Sequence, residues 1–319
     1  MTSILLIIGG FILLLVGGEA LVRGSVAVAS RMGVSKLVIG LTLVGFGTSA
    51  PELMTSVQAA LAGSSGIAIG NVVGSNIANI LLIIGASAVI YPLACPKEAI
   101  RRDGAVMIAA TLTLIALSLL FGEIGRISAG ILIICLINYL LWTFYQERKS
   151  GGTSAEMHEH ETETFSAPML KAIPFQIFLV VVGIIVLIFG ADLLVEGATD
   201  LAKTLGVSDS IIGLTVVAVG TSLPELATSI MAAIKRQADV AIGNVIGSNI
   251  FNIFSILGIT ALIQPIDIPQ DISGIDNWVM LATAIVLVVF GLTGSKITRA
   301  EGIVLLISYI AYIGFMALR

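Results

Sequence analysis

Charge is what this chain has least of. Only 11% of its 319 residues are Asp, Glu, Lys or Arg, against about 25% in soluble domains. A soluble core cannot absorb a sequence that is 57% hydrophobic, so the composition points to a polytopic membrane protein. Cysteine is almost absent as well. Cys95 and Cys135 have no metal or redox spacing, and Cys135, in an apolar segment, reads as a small core residue. Both histidines, His158 and His160, fall in one short hydrophilic stretch. The net charge of -4, with no basic face, disfavours nucleic-acid binding. HExxH, nucleophile-elbow and nucleotide-binding motifs are missing.

Long apolar runs are what the chain does have. They fall at about 4–22, 37–62, 67–91, 104–121, 127–145, 174–195, 210–234, 239–263, 278–293 and 301–317. Runs near twenty residues span a bilayer, and backbone groups in lipid must be satisfied within the segment, so each is expected to be a helix. The first lacks a basic n-region and a small-residue cleavage site, and is read as a retained helix rather than a signal peptide.

Ten helices divide into two fives because the chain repeats itself. Residues 37–80 align without a gap to residues 210–253 at an offset of 173, with 26 of 44 positions identical. The match extends outward. Glu19 pairs with Asp192, Gly24 with Gly197, Pro92 with Pro265, and Arg126 with Arg299. An odd number of helices per repeat forces opposite orientations, which gives two inverted five-helix repeats. The expected division is residues 1–145, a linker at 146–173, and residues 174–319. Basic residues support that layout. With alternating sides, thirteen of the sixteen fall on one face, among them Arg23, Arg31, Lys36, Lys235 and Arg236, and three on the other, Arg126, Lys203 and Arg319. The positive-inside rule makes the richer face cytoplasmic, with both termini outside and the His/Glu-rich linker inside. That linker reads as solvated chain, with metal regulation as the alternative.

Each repeat core puts one carboxylate into lipid-compatible sequence. Gly47-Thr48-Ser49-Ala50-Pro51-Glu52 matches Gly220-Thr221-Ser222-Leu223-Pro224-Glu225. A charge at mid-membrane costs about 2.5–3.5 kcal/mol on insertion scales, and neither segment offers a cationic partner. A bound cation is the natural counter-charge. The proline breaks the helix and frees carbonyls, and the threonines and serines add hydroxyls, so an oxygen-rich site for hard cations is expected. A second signature, Gly70-Asn71-Val72-Val73-Gly74-Ser75-Asn76-Ile77-Ala78-Asn79, matches residues 243–252. Ser75 and Asn79 share a helix face. Asn71, Asn76, Asn244 and Asn249 are either ligands or hydrogen-bonding links between helices. Thr55-Ser56 and Thr228-Ser229 are placed to bond the carboxylates or nearby carbonyls. Glu19 and Asp192, near segment ends, fit interfacial roles better than an ion path.

The paired motifs, GTSAPE with GNVVGSNIANI and GTSLPE with GNVIGSNIFNI, resemble the two alpha repeats of the cation/calcium antiporter superfamily, above all its prokaryotic sodium/calcium exchangers. The resemblance spans nearly the whole chain. It implies an all-α fold of ten transmembrane helices in the cell membrane, with the second, third, seventh and eighth as a central core. It also implies that the first and sixth helices slide across that core. The chain would be a secondary transporter and not an enzyme, carrying Ca2+ and Na+ as cargo with no prosthetic group and no obligate protein partner beyond the bilayer. By motif position, Glu52, Glu225 and the carbonyls of Thr48 and Thr221 would hold Ca2+. Gly45, Ser75, Ser222, Ala218 and Ser248 would serve flanking Na+ sites, and Asn79 and Asn252 the remaining central positions, with Ser49 the repeat partner of Ser222. Some relatives carry Asp at the position of Asn252, potassium-dependent exchangers among them. Asn in both repeats therefore weakens the K+-dependent alternative. An H+/Ca2+ exchanger stays open, since a buried glutamate can trade a proton as well as a cation.

Overall fold

A computed structural model describes residues 2–149, 173–205, 218–270 and 272–318. The linker from 150 to 172 and the first half of the seventh apolar run, 206–217, lie outside the described residues. The first repeat contains α1 (Thr2–Met32), the bent pair α2 (Lys36–Thr48) and α3 (Ala50–Leu61), α4 (Ser65–Ile90), α5 (Lys97–Leu120) and α6 (Arg126–Lys149). The second contains α7 (Ile173–Thr204), a single turn at Ala218–Gly220, α8 (Leu223–Ile234), α9 (Ala238–Ile263), α10 (Asn277–Gly294) and α11 (Arg299–Leu318). Among the described residues, eight helices are long and apolar enough to cross a membrane, and α2 with α3 makes a ninth, bent by 43°.

The inversion of the repeats is visible where equivalent helices touch. α1 and α7 lie side by side and antiparallel: a Cβ on Gly197 would stand 2.6 Å from the Ser3 carbonyl, and one on Gly24 3.1 Å from that of Gln176. Gly10, Gly17 and Gly24 recur every seven residues, as do their equivalents Gly183, Gly190 and Gly197. A Cβ on Gly10 would sit 2.6 Å from the Gly190 carbonyl oxygen, so the two backbones meet only because these positions lack one. Both helices are longer than their apolar runs, which end at 22 and 195. At 1.5 Å per residue, α1 is about 46 Å long, more than the roughly 30 Å of a hydrocarbon core, so it is tilted or projects beyond it. Its extra turns hold Arg23 and Arg31, whose charge ends the apolar run, so hydropathy does not see the helix there.

α9 and α4 form the centre. Their apolar windows are 83% and 72% buried, against 28% for α1 and α7. Outward-facing Phe11, Phe46, Phe178, Phe189 and Ile310 are exposed, as lipid-facing side chains must be. Two departures from plain α-helix matter. Both α4 and α9 widen into π-helix at Asn79–Ile84 and Asn252–Leu257, directly where the second signature ends; such widenings cluster at functional positions. The second lies between helices, in two short antiparallel ladders that leave the all-α fold unchanged. β1 (Leu93–Ala94) pairs with β4 (Lys296–Ile297), and β2 (Glu123–Ile124) with β3 (Ile266–Asp267). Each ladder joins loops that the alternating topology assigns to one side of the membrane, and the offset of 173 carries one onto the other. Runs of two residues are too short to leave a period in the sequence.

Candidate ion-binding site

The helix breaks that precede both glutamates fall at serine, not proline. Ser49 and Ser222 leave helical geometry at ψ 6 and 8, and Pro51 and Pro224 start the next helix, where a missing N–H is harmless. Each glutamate thus enters at the positive end of a new helix. Both side chains are 1% exposed.

The repeats then clasp hands across the pseudo-twofold axis. Ser49 Oγ donates to Glu225 Oε1 at 3.1 Å, and Ser222 Oγ lies 3.3 Å from Glu52 Oε1 and 3.3 Å from Ser75 Oγ. Below them, Asn252 Nδ2 donates to Asn76 Oδ1 at 2.9 Å, and Asn79 Nδ2 to Asn249 Oδ1 at 3.1 Å. Ser248 Oγ approaches the Gly45 carbonyl at 3.5 Å, and Thr48 Oγ1 donates to the Val44 carbonyl at 3.1 Å. Ten of the twelve residues singled out by motif are therefore buried and bonded in this central region, in three sets: Glu52, Glu225, Ser49, Ser222 and Ser75; Asn79 and Asn252; and Gly45, Thr48 and Ser248. Of the other two, Thr221 borders it with a buried hydroxyl that finds no partner among the described residues, and Ala218 is described only in its backbone, one turn before the break.

The remaining asparagines are links. Asn71 Nδ2 donates to the Glu52 carbonyl at 3.1 Å and to Ser56 Oγ at 2.9 Å, and Asn244 repeats this with Glu225 at 3.4 Å and Ser229 at 3.0 Å. Ser56 and Ser229 so engage the neighbouring helix rather than the carboxylates they follow, because a helical i+4 hydroxyl points along the helix and α4 or α9 supplies a closer amide. Asn76 and Asn249 each also place an amide near a thioether, Met280 Sδ at 3.6 Å and Met107 Sδ at 3.5 Å. Those methionines escaped sequence reasoning, although the offset of 173 relates them. A second symmetric pair was missed too: Tyr139 donates to buried Asp103 and Tyr312 to buried Asp276, each at 3.2 Å. Extending the repeat alignment beyond its 44-residue core would have found both.

With these donors assigned, four carboxylate and amide oxygens of the motif residues remain. Glu52 Oε2, Glu225 Oε2, Asn79 Oδ1 and Asn252 Oδ1 are fully buried and receive no hydrogen bond among the described residues. They are two symmetric pairs, rich in negative and partial negative charge, in a protein read as membrane-embedded. Unsatisfied buried oxygens of this kind are costly, and a hard cation satisfies several at once. Glu52 and Glu225 join none of the described ion pairs.

Beside this cluster a groove of about 310 Å3 reaches Thr221 along α7, past Asp192 and Glu196. Asp192 therefore lines a path toward the cluster, whereas its equivalent Glu19 is bound up in ion pairs with Arg23 and with Lys235, the latter at 2.8 Å.

The family profile described as sodium/calcium exchanger protein matches residues 2–145 and 175–318 of this chain. The chain belongs to that family. Within the cation/calcium antiporter superfamily it is 34% identical over 342 residues to the sodium/calcium exchanger MaX1 of Methanosarcina acetivorans, covering 98% of this chain and 97% of that one. It is 34% identical to the inner membrane protein YrbG of Escherichia coli, across 88% and 86% of the two chains. Among solved structures, the sodium-calcium exchanger NCX_Mj superposes with a TM-score of 0.84 at 33% identity, covering 98% of each chain. The fold is accordingly an all-α polytopic membrane fold of inverted repeats, and the protein is a secondary active transporter rather than an enzyme.

Proposed function

We propose that this protein exchanges Na+ for Ca2+ across the cell membrane by alternating access, three Na+ against one Ca2+. The observation that carries the reading is the set of four buried, unsatisfied oxygens on Glu52, Glu225, Asn79 and Asn252. Glu52 and Glu225 supply the charge for Ca2+, helped by the carbonyls of Thr48 and Thr221. Ser49, Ser75, Ser222, Ser248, Gly45 and Ala218 surround them with neutral oxygen suited to Na+. With both carboxylates ionised the site carries two negative charges, which one Ca2+ or two Na+ neutralise. A full Na+ load and Ca2+ repel each other in so small a volume, so they exclude one another, and exclusion is the basis of exchange. MaX1 and NCX_Mj, both sodium/calcium exchangers, agree with this cargo. The deciding experiment is Ca2+ uptake into proteoliposomes under a Na+, K+ or H+ gradient imposed singly. Uptake is expected with the Na+ gradient alone; uptake that follows only H+ or K+ would overturn the choice of coupled ion.

We place the termini outside and the linker at 146–173 inside, between transporting halves 1–145 and 174–319. The basic-residue bias supports the orientation, and the two β ladders, each of which joins loops assigned to one side, support only the alternation of sides. Cysteines introduced at Gly151 and after Arg319 are expected to react with an impermeant thiol reagent from opposite faces of intact cells. Reaction from a single face would sink the topology.

A further inference from the structure

Sequence symmetry makes the two repeats interchangeable, yet the structure treats them differently. Pro51, Thr55 and Thr221 are half-buried and line the groove beside α7. Their equivalents Pro224, Thr228 and Thr48 are buried, Thr228 completely. There α1 closes the path: a Cβ on Gly18 would lie 3.3 Å from the Ala227 carbonyl and 3.5 Å from Met231 Cβ on α8, and Val22 is 1% exposed. Among the described residues, one approach to the site is open and the other sealed.

The sealed side carries something that the open side lacks. At the end of α8, Lys235 Nζ reaches Glu19 Oε1 on α1 at 2.8 Å. Ala62 stands at the equivalent place after α3, so Asp192 on α7 has no matching lysine. The next residue repeats the contrast. Gly63 has φ +75, a backbone that glycine adopts freely, and Arg236 holds φ 57 at the equivalent position. An arginine tolerates that conformation where other contacts hold it, and its guanidinium carbon lies 5.8 Å from the centre of the Tyr91 ring at the end of α4. Lys235 and Arg236 together tie the α8 end to α1 on one side and to the central core on the other.

We propose that the Lys235–Glu19 ion pair, anchored through Arg236 and Tyr91, is a one-sided latch that holds α1 against α8 and keeps the basic-residue-rich side of the transporter closed. The proposal rests on the alternating-access reading and adds a bias to it: the state with that side sealed is favoured over its symmetry-related counterpart, which has no lysine at the equivalent position. Both partners are partly exposed, at 35% and 38% of their side chains, and exposed pairs are individually modest, so the latch tunes the ratio of states and does not lock it.

The test reads state populations without using transport. With Cys95 and Cys135 replaced by alanine, single cysteines are placed at Thr228 on the sealed path and at Thr55 on the open one. Alkylation rates by an impermeant thiol reagent are then measured in membranes accessible from both faces. Lys235→Ala is expected to speed reaction of Thr228→Cys about two- to fivefold and to slow that of Thr55→Cys, and Glu19→Gln should do the same. Lys235→Arg, which keeps the charge, should leave both rates as in the parent. Faster reaction at both cysteines would mean simple loosening of the structure, and unchanged rates would mean no bias; either overturns the latch. Because the readout is alkylation, these outcomes are separate from Na+-driven Ca2+ uptake, whose absence would fault the proposed function instead.

Discussion

Glu52→Gln and Glu225→Gln are each expected to lower Ca2+ transport at least a hundredfold, with the protein still inserted and folded. Two unit charges about 4 Å apart interact by about 4 kcal/mol at an effective dielectric of 20. A Ca2+ bound to two carboxylates therefore loses several kcal/mol when one becomes an amide, and every 1.4 kcal/mol is tenfold in affinity. The two substitutions should have similar effects, because each carboxylate is 1% exposed and each meets a serine of the other repeat. Folding should survive. Glutamine has nearly the shape of glutamate, can still meet Ser222 or Ser49, and removes a buried charge rather than orphaning one. The measurement is Na+-driven 45Ca2+ flux in proteoliposomes, beside size-exclusion and circular-dichroism profiles matched to the parent. Robust flux in either variant would remove that glutamate from the site and take the functional reading with it.

The equilibrium Ca2+ ratio across the membrane should change about fiftyfold for each 100 mV imposed. Three Na+ against one Ca2+ moves one net charge per cycle, and one charge crossing 100 mV is worth about 2.3 kcal/mol. Two Na+ against one Ca2+ moves none. Proteoliposomes with equal Na+ on both sides, clamped by valinomycin and K+, separate these cases directly. A ratio indifferent to voltage would rule out three-for-one exchange and leave the site's two negative charges matched by two Na+. The empty site bears on the same experiment. It leaves two unpaired buried carboxylates, a state reluctant to change sides, so leak in the absence of Na+ should be slow enough for the ratio to be held.

Much of this molecule is legible in its sequence, and the bilayer is the reason. Lipid permits helices and closed barrels and little else, so apolar length alone gives the spans. An odd number of spans in a repeated unit gives inversion, and in the structure α1 and α7 do run antiparallel along Gly10, Gly17 and Gly24. Glu52 and Glu225 stand out because charge in lipid-compatible sequence needs an explanation, and the same offset of 173 brings Ser49, Ser222, Asn79 and Asn252 with them. Element ends were less legible. Hydropathy loses α1 at residue 22 because Arg23 and Arg31 interrupt its apolar run, and it has no signal for ladders two residues long.

Tertiary structure alone decided the contacts between repeats. Nothing local says that Ser49 serves Glu225 rather than Glu52, or that Asn76 and Asn249 are links whose amides fall beside Met280 and Met107. These are pairings across roughly 140 to 200 positions of chain, made by helices crossing near the pseudo-twofold axis. It also decided which path is open. Two repeats that share 26 of 44 core positions describe two symmetry-related states almost equally well, so a sequence read repeat by repeat cannot choose between them. The choice comes from how α1 and α7 lie on the core, and from the few places where the repeats differ. Lys235 against Ala62 and Arg236 against Gly63 are two of these, and their meaning depends on Glu19 and Tyr91 being within reach.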